Sequence, residues 1–422
     1  MLKKVQVISK ETIKPSSPTP QNLHSLQLSL LDQIAPQIYN HLLLFYSKNP
    51  PQALTQLKSS LSKTLTCFYP LAGRIKESKD DNTLYVECND EGVEFIQARA
   101  EAELDSVLLQ PPIDQFSELL PIRASDFRYG DPLLRCSSLG SNVVASRGLS
   151  MSHLIADGAS MAMFLNRWAD VARGLDLRPA PRFDSMATFP PRPQFIDQAP
   201  KRAQPASGQP AAAIRRFVMS SRAIARLRGG SYDRVHAPTR VEAVSALVLR
   251  CLVRARGKKR PVAKHSVNLR RKLSPPLSDE SFGNMWISVA AVGKLAVGDG
   301  CDDGGGQGLL EEALRNGVRK VDEEYVRRKA EEKWLGRDGM DGVVVGESET
   351  WIFSSWCRMP WYQTDFGWGE PEWLGCGIRD MKDVCILVDT KDGDGMEVWL
   401  WLRAEEMEKV ARDPEFLDFI SS

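Results

Sequence analysis

The stretch Ser152-His153-Leu154-Ile155-Ala156-Asp157-Gly158 marks the point where the chain changes its period. Before it, an apolar run ends in Gly148-Leu149-Ser150-Met151, the pattern of a strand reaching its end. After it, between Ala159 and Gly174, Met161, Phe164, Leu165, Trp168 and Val171 recur at helical spacing. His153 therefore stands at a strand-to-helix junction, where a side chain can project into a cleft while rigid elements hold its backbone. Asp157 comes just before the helix, where its carboxylate can cap free backbone N–H groups or bind a cation. Taken alone, the pair also has a plain reading, a packed histidine followed by a helix-capping aspartate.

A stretch far downstream, Asp365-Phe366-Gly367-Trp368-Gly369, changes that balance. Together, His-x-x-x-Asp-Gly and Asp-Phe-Gly-Trp-Gly resemble the BAHD family of plant acyl-CoA-dependent acyltransferases. Tyr69-Pro70-Leu71-Ala72-Gly73-Arg74, Val267-Asn268-Leu269-Arg270, Phe282-Gly283-Asn284 and Gly393-Asp394-Gly395 fall in the family's order. The opening, with Pro15-Ser16-Ser17-Pro18-Thr19-Pro20 and Leu30-Leu31-Asp32-Gln33, looks most like the vinorine synthase-like branch. The resemblance covers nearly the whole chain.

It implies an α/β fold of two similar mixed-sheet domains, chloramphenicol acetyltransferase-like, joined by a crossover loop. It implies acyl-CoA as co-substrate, with acetyl-CoA the preferred donor, a small-molecule alcohol as acceptor, and no bound cofactor. His153 would be the general base, in a channel between the domains open to CoA on one side and to the acceptor on the other. Asp157, with Gly158 beside it, invites a dyad reading in which its carboxylate orients His153; the resemblance implies instead a structural acid that supports the site by binding an arginine or capping the turn. Asp365, Gly367, Trp368 and Gly369 would form a structural loop in which Asp365 pairs with Arg270. The residues of that loop agree: its two glycines suit a tight turn, and Phe366 and Trp368 suit aromatic packing.

Composition bounds the rest. A chain of 422 residues is long for one core, so two domains are expected. Lys and Arg total 55 against 54 Asp and Glu, which argues against general nucleic-acid or membrane-surface binding. No apolar run approaches the roughly 20 residues that span a bilayer. Met1-Leu2-Lys3-Lys4 continues into Val5-Gln6-Val7-Ile8, which lacks a signal peptide's long apolar core. Eight cysteines lie scattered without Cys-x-x-Cys spacing among only five histidines, which fits reduced thiols rather than a disulfide frame or zinc site. A cytoplasmic monomer that binds no metal is expected.

Residues 1–193 are read as the N-terminal domain carrying His153. Residues 194–214, rich in Pro, Ala, Gln and Ser, are read as the crossover linker, and 215–422 as the C-terminal domain carrying Asp365. Within the first, a strand at His41–Tyr46 precedes a helix opening at Pro51, with Leu54, Leu57, Leu61 and Leu65 on one face. Thr83–Cys88 and Val93–Ala98 read as a hairpin across Asn89-Asp90-Glu91-Gly92. In the second, Thr239 and Glu242 form a capping box, and Lys264–Leu269 and Met285–Val292 read as strands. Leu309–Trp334 reads as a helix interrupted at Gly317, and Val384–Asp389 and Met396–Leu402 as a hairpin.

Acyl transfer needs a base for the acceptor proton, and imidazole, with an ordinary pKa of about 6.5, is mostly neutral at cytosolic pH. A Ser-His-Asp hydrolase is disfavoured, since no Gly-x-Ser-x-Gly elbow occurs, and Asp-Phe-Gly has no kinase catalytic loop beside it. Asp392 and Asp394 lack the remaining ligands of a calcium loop. Arg254, Arg256, Lys258, Lys259 and Arg260 read as a solvated helix end or as an attraction for the CoA phosphates. Ile34, Tyr39, Trp356, Trp361 and Tyr362 are read either as core or as the lining of a wide apolar pocket for a bulky alcohol. Three features depart from the family pattern: Ser146 and Arg147 in the strand before His153, Glu370 after Gly369, and a short, glycine-rich segment over 300–345. They favour the alternative of a catalytically degenerate member acting as a binding or regulatory protein, and the intact His153 opposes it.

Overall fold

The computed structural model describes residues 5–78, 83–99, 113, 120, 127–140, 145–175, 178–193, 212–229, 238–257, 261–292, 305–331, 349–376 and 381–420. The chain forms two compact units, and neither is contiguous in sequence. The first comprises Met1–Gln209, Ser278–Met285 and Met359–Asp380; the second comprises Pro210–Leu277, Trp286–Arg358 and Met381–Ser422. The expected division at a single linker is thus too simple, and 194–211, most of that linker, lies outside the described residues.

The chain begins with β1 (Gln6–Ile13), β2 (Ser25–Gln27), α1 (Leu30–Gln33), β3 (Tyr39–Tyr46), α2 (Ala53–Cys67), β4 (Arg74–Glu77), β5 (Leu84–Glu87) and β6 (Val93–Arg99). It continues with β7 (Leu134–Gly140), β8 (Ala145–Ser152), α3 (Gly158–Ala172) and α4 (Ser185–Thr188). Then come β9 (Ala213–Met219), α5 (Ser221–Leu227), α6 (Arg240–Arg256), β10 (Pro261–Asn268), β11 (Trp286–Val292), α7 (Gly305–Arg319), α8 (Glu323–Glu331) and β12 (Glu349–Ser355). The chain ends with β13 (Trp373–Cys376), β14 (Val384–Asp389), β15 (Met396–Leu402), α9 (Ala404–Ala411) and α10 (Pro414–Ile420).

Each unit is built on one mixed six-stranded sheet. In the first unit the order is β1-β6-β7-β8-β3-β13, with β6 and β7 parallel and the other neighbours antiparallel. Every residue of β3 and β8 is buried, as befits strands covered on both faces. Helix α2 contributes Leu57, Leu61 and Leu65, each fully buried, to this core. Trp168 of α3 donates its indole N–H to Leu57 O at 3.2 Å and Ser60 Oγ at 3.0 Å, which fastens α3 to α2. In the second unit the order is β11-β10-β12-β14-β15-β9, with β10, β12 and β14 running parallel. The expected two mixed-sheet α/β domains are therefore present.

Several local expectations change. β5 and β6 do not form a hairpin: β5 pairs with β2 and β4 in a separate three-stranded sheet, while β6 pairs with β1 and β7. Both edges of each strand are already taken, so the Asn89–Gly92 turn carries the chain between sheets. The helix expected over 309–334 is two helices, and Gly317 lies inside the first of them rather than breaking it. A Cβ on Gly317 would lie 3.6 Å from Ala290 O and Ala291 Cβ, which leaves room for little more than a methyl against β11. The break falls instead before Glu323, where Asp322 Oδ1 accepts the Tyr325 N–H at 2.8 Å and caps a new helix. The capping box at Thr239 forms as expected, with Thr239 N–H to Glu242 Oε2 at 2.8 Å and Glu242 N–H to Thr239 Oγ1 at 3.2 Å. The β14–β15 hairpin also forms, turning through Gly393 at φ 76°.

Candidate active site

Backbone bonds fix the end of β8. Ser152 N–H donates to Leu133 O and His153 N–H to Ile38 O, both at 2.8 Å, so the histidine leaves the sheet in a determined direction. The next turn ends at Asp157, whose extended backbone and side chain cap α3. Its Oδ1 accepts the Ser160 N–H at 2.8 Å, and its Oδ2 accepts the Met285 N–H at 3.0 Å. Gly158 opens the helix. Asp157 is 6% exposed; its Oδ1 caps the helix, while its Oδ2 ties the junction to the distant backbone of Met285. Ser160 secures the same neighbouring segment: its Oγ donates to Gly283 O at 2.9 Å and accepts from Gly283 N–H at 3.0 Å.

Those bonds place Asn284 against His153. Asn284 Nδ2 donates to His153 O at 2.7 Å and to Asp32 Oδ1 at 2.9 Å. Both partners are oxygens that only accept, which settles the orientation of the amide and leaves Asn284 Oδ1 facing His153 Nδ1 at 3.1 Å. A carbonyl oxygen needs a donor, so Nδ1 carries the proton, and in the neutral ring Nε2 holds the lone pair. Burial pushes the imidazole below its ordinary pKa of 6.5; the carbonyls of His153 and Ala156, the Asp157 charge and the Asn284 bond pull the other way without prevailing. The result is a neutral imidazole held in a single orientation.

The Asp365 loop is a second cluster in the same unit, not in the C-terminal half as expected, because β13 pairs antiparallel with β3. Asp365 Oδ1 accepts the N–H groups of Gly367 and Gly369 at 2.7 and 2.9 Å. Both glycines sit in the left-handed region, at φ 105° and 112°, where a side chain would be strained. Gln56 Nε2 donates to Phe366 O at 2.9 Å, and Tyr46 Oη donates to Thr364 O at 2.8 Å. Phe366 meets Trp168 edge to face at 5.0 Å, and the Arg147 guanidinium lies 5.5 Å from the Trp368 ring centre.

Arg147, a departure from the family pattern, thus has a use. Its Nη2 donates to Asn49 Oδ1 at 2.8 Å and its Nη1 to Ser146 O at 3.1 Å, while burial lowers its pKa to about 10. The cation beside Asp365 is Arg173, 3.8 Å from Oδ2, rather than the expected Arg270. Arg270 belongs to the second unit, where its N–H and Nη1 lie 3.0 and 3.4 Å from Asn268 Oδ1.

Other candidates are used structurally. Arg254 holds Asp413 through two bonds of 2.8 Å and reaches Glu415 at 2.7 Å, and Arg256 holds Glu406 and Asp383. Among the described residues the one cluster of metal-ligating types, Cys251, Asp413 and Glu415, therefore already has a guanidinium on both of its carboxylates. Tyr39 is fully buried with its hydroxyl on Pro132 O at 2.6 Å, and Trp361 is 1% exposed, so both are core. Sequence reasoning assigned no role to Asn284, Asp32 or Ser160, although the first two stood inside quoted motifs. Short polar residues at turns signal capping, and nothing in their spacing points across 131 positions to His153.

Comparison with known proteins finds relatives along nearly the whole chain. Limonoid 21-O-acetyltransferase of Melia azedarach is 33% identical over 436 residues, covering 99% of this chain and 98% of its own. Salutaridinol 7-O-acetyltransferase of Papaver somniferum is 33% identical over 468 residues, covering 96% of each. The crystal structure of vinorine synthase superposes with a TM-score of 0.82 at 30% identity, covering 99% of this chain and 98% of that one. The fold alone is shared with Fusarium sporotrichioides TRI101 in complex with coenzyme A and T-2, at TM-score 0.74 and 15% identity over 94% of this chain and 98% of that one. The model of the Transferase family matches residues 3–417, and the chain belongs to that family, the BAHD acyl-CoA-dependent acyltransferases.

Proposed function

We propose that this protein transfers an acetyl group from acetyl-CoA to a hydroxyl of an apolar plant specialised metabolite, with His153 Nε2 as the general base. The observation that carries the reading is the His153–Asn284 contact, because it puts the ring proton on Nδ1 and the lone pair on Nε2, on a rigid junction. Nε2 takes the hydroxyl proton as the acceptor oxygen attacks the thioester carbonyl. The tetrahedral intermediate then collapses, the C–S bond breaks, and the imidazolium returns the proton to the departing CoA sulfur. Direct attack needs no covalent enzyme intermediate. A positioned base of this kind typically contributes on the order of 10²–10⁴ in rate.

The acceptor class is supported by the relatives, whose names include limonoid, salutaridinol and stemmadenine O-acetyltransferases. An apolar site offers a small anionic acceptor nothing to offset its desolvation. A cytoplasmic location belongs to the same reading, supported by seven described cysteines that are all unbridged, and so does a monomeric state. The alternative of a binding protein without turnover loses support, since β8 is complete and its Arg147 is accommodated. Mass spectrometry of products from acetyl-CoA and a mixture of triterpenoid alcohols, alkaloid alcohols, shikimate and quinate tests the acceptor. Acetyl esters of the apolar alcohols are expected, and exclusive acylation of shikimate or quinate would overturn this assignment.

A further inference from the structure

Behind Asn284 lies a carboxylate to which the sequence motifs assign no role. Asp32 in α1 is 2% exposed, and its two oxygens receive four donors. Oδ1 accepts Asn284 N–H at 3.0 Å and Asn284 Nδ2 at 2.9 Å; Oδ2 accepts Ser29 N–H at 2.9 Å and Ser29 Oγ at 2.6 Å. Burial pushes the Asp32 carboxyl above its ordinary range while the Ser29 and Asn284 donors pull it back, and with both oxygens accepting the geometry is that of the ionised form.

The consequence follows from the symmetry of a carboxamide, whose oxygen and nitrogen ends have nearly the same shape. If the Asn284 amide turned over, its NH₂ would face His153 Nδ1 and demand a lone pair there. The ring proton would move to Nε2, and the nitrogen needed as base would be blocked. In the same movement Asn284 Oδ1 would face both Asp32 Oδ1 and His153 O, three acceptors without a hydrogen between them. Asp32 therefore penalises the flipped amide and, through it, the wrong tautomer. The Gly283 backbone is held independently by Ser160, so the segment keeps its course without Asp32.

We propose that Asp32 is a positioning residue of the transfer reaction: by accepting both Asn284 N–H groups, it locks the amide that keeps the His153 proton on Nδ1 and the lone pair on Nε2. This rests on the reading of His153 as the base.

The test combines kinetics with ¹⁵N NMR of protein labelled at histidine, the His153 signal being assigned by its loss in His153→Gln. Wild type should show the Nδ1–H tautomer, and an Nε2–H signal in wild type would by itself overturn the proposal. Asp32→Ala should shift the signal toward Nε2–H and lower kcat on the order of tenfold to a hundredfold, part of a base's usual contribution, with KM for acetyl-CoA little changed. Asp32→Asn, which keeps one acceptor oxygen, should recover part of the loss. A folded Asp32→Ala protein with wild-type kcat and the Nδ1–H signal would sink the positioning role while leaving His153 as base. Full turnover by His153→Ala would instead sink the reading beneath it.

Discussion

A base for acyl transfer must be neutral at working pH; at His153, the proposed base, burial favours that state while Asn284 fixes which nitrogen carries the proton. The groups facing the ring are Asn284 Oδ1, the carbonyls of His153 and Ala156, and the Asp157 charge. Since the imidazole pKa is lowered from 6.5, kcat/KM should stay level from neutral pH downward and fall only below 6.5. A pH–rate profile with its acid limb at or above 6.5 would contradict this. Asn284→Asp, which sets a carboxylate against Nδ1, should move that limb upward. His153 and Asp157 are legible in the sequence because both belong to one local pattern, a strand end, a four-residue step and a helix start. Asn284 and Asp32 are not, because the bond that gives them meaning joins residues 252 positions apart.

Among the elements, the Asp365 loop illustrates how a segment can matter through its own turn. Its carboxylate caps two glycine amides, so Asp365→Ala should destabilise the protein by about 1–3 kcal/mol in a denaturant melt, and Asp365→Asn, which keeps an acceptor, by less. The Arg173 contact is long and partly exposed, so a double-mutant cycle between Arg173 and Asp365 should give a coupling of at most about 1 kcal/mol. A coupling of several kcal/mol would show that the ion pair, rather than the capped turn, is what the loop provides. The turn and the aromatic packing can be read from Asp-Phe-Gly-Trp-Gly itself. Its home in the first unit cannot, because strand order depends on which distant edge is left open, here that of β3 for β13. The same physics misled the reading of β5 and β6, adjacent in sequence yet in different sheets.

For the molecule as a whole, acid sensitivity should come partly from buried neutral histidines. His265 in β10 is 7% exposed and stacked on Phe353 at 5.0 Å, and burial lowers its pKa to about 4. Above pH 6.5 it is neutral whether folded or unfolded and adds no pH dependence. Between 6.5 and about 4 the unfolded chain takes up a proton that the folded protein refuses, so stability falls as pH falls, by about 1.4 kcal/mol per pH unit from this residue. Melting temperatures across that window should drop, and His265→Leu should flatten the drop; an unchanged slope would remove His265 from the account. The two-domain α/β architecture is legible from length and paired motifs, whereas the five passages of the chain between units are not, since each depends on long-range packing. The most direct test of the central claim is CoA release from acetyl-CoA in the presence of an apolar alcohol that the wild-type protein acetylates, measured for wild type and His153→Ala. Loss of turnover by about 10²–10⁴ in a variant that remains folded and binds CoA is the result predicted. Near-wild-type turnover by His153→Ala would contradict it.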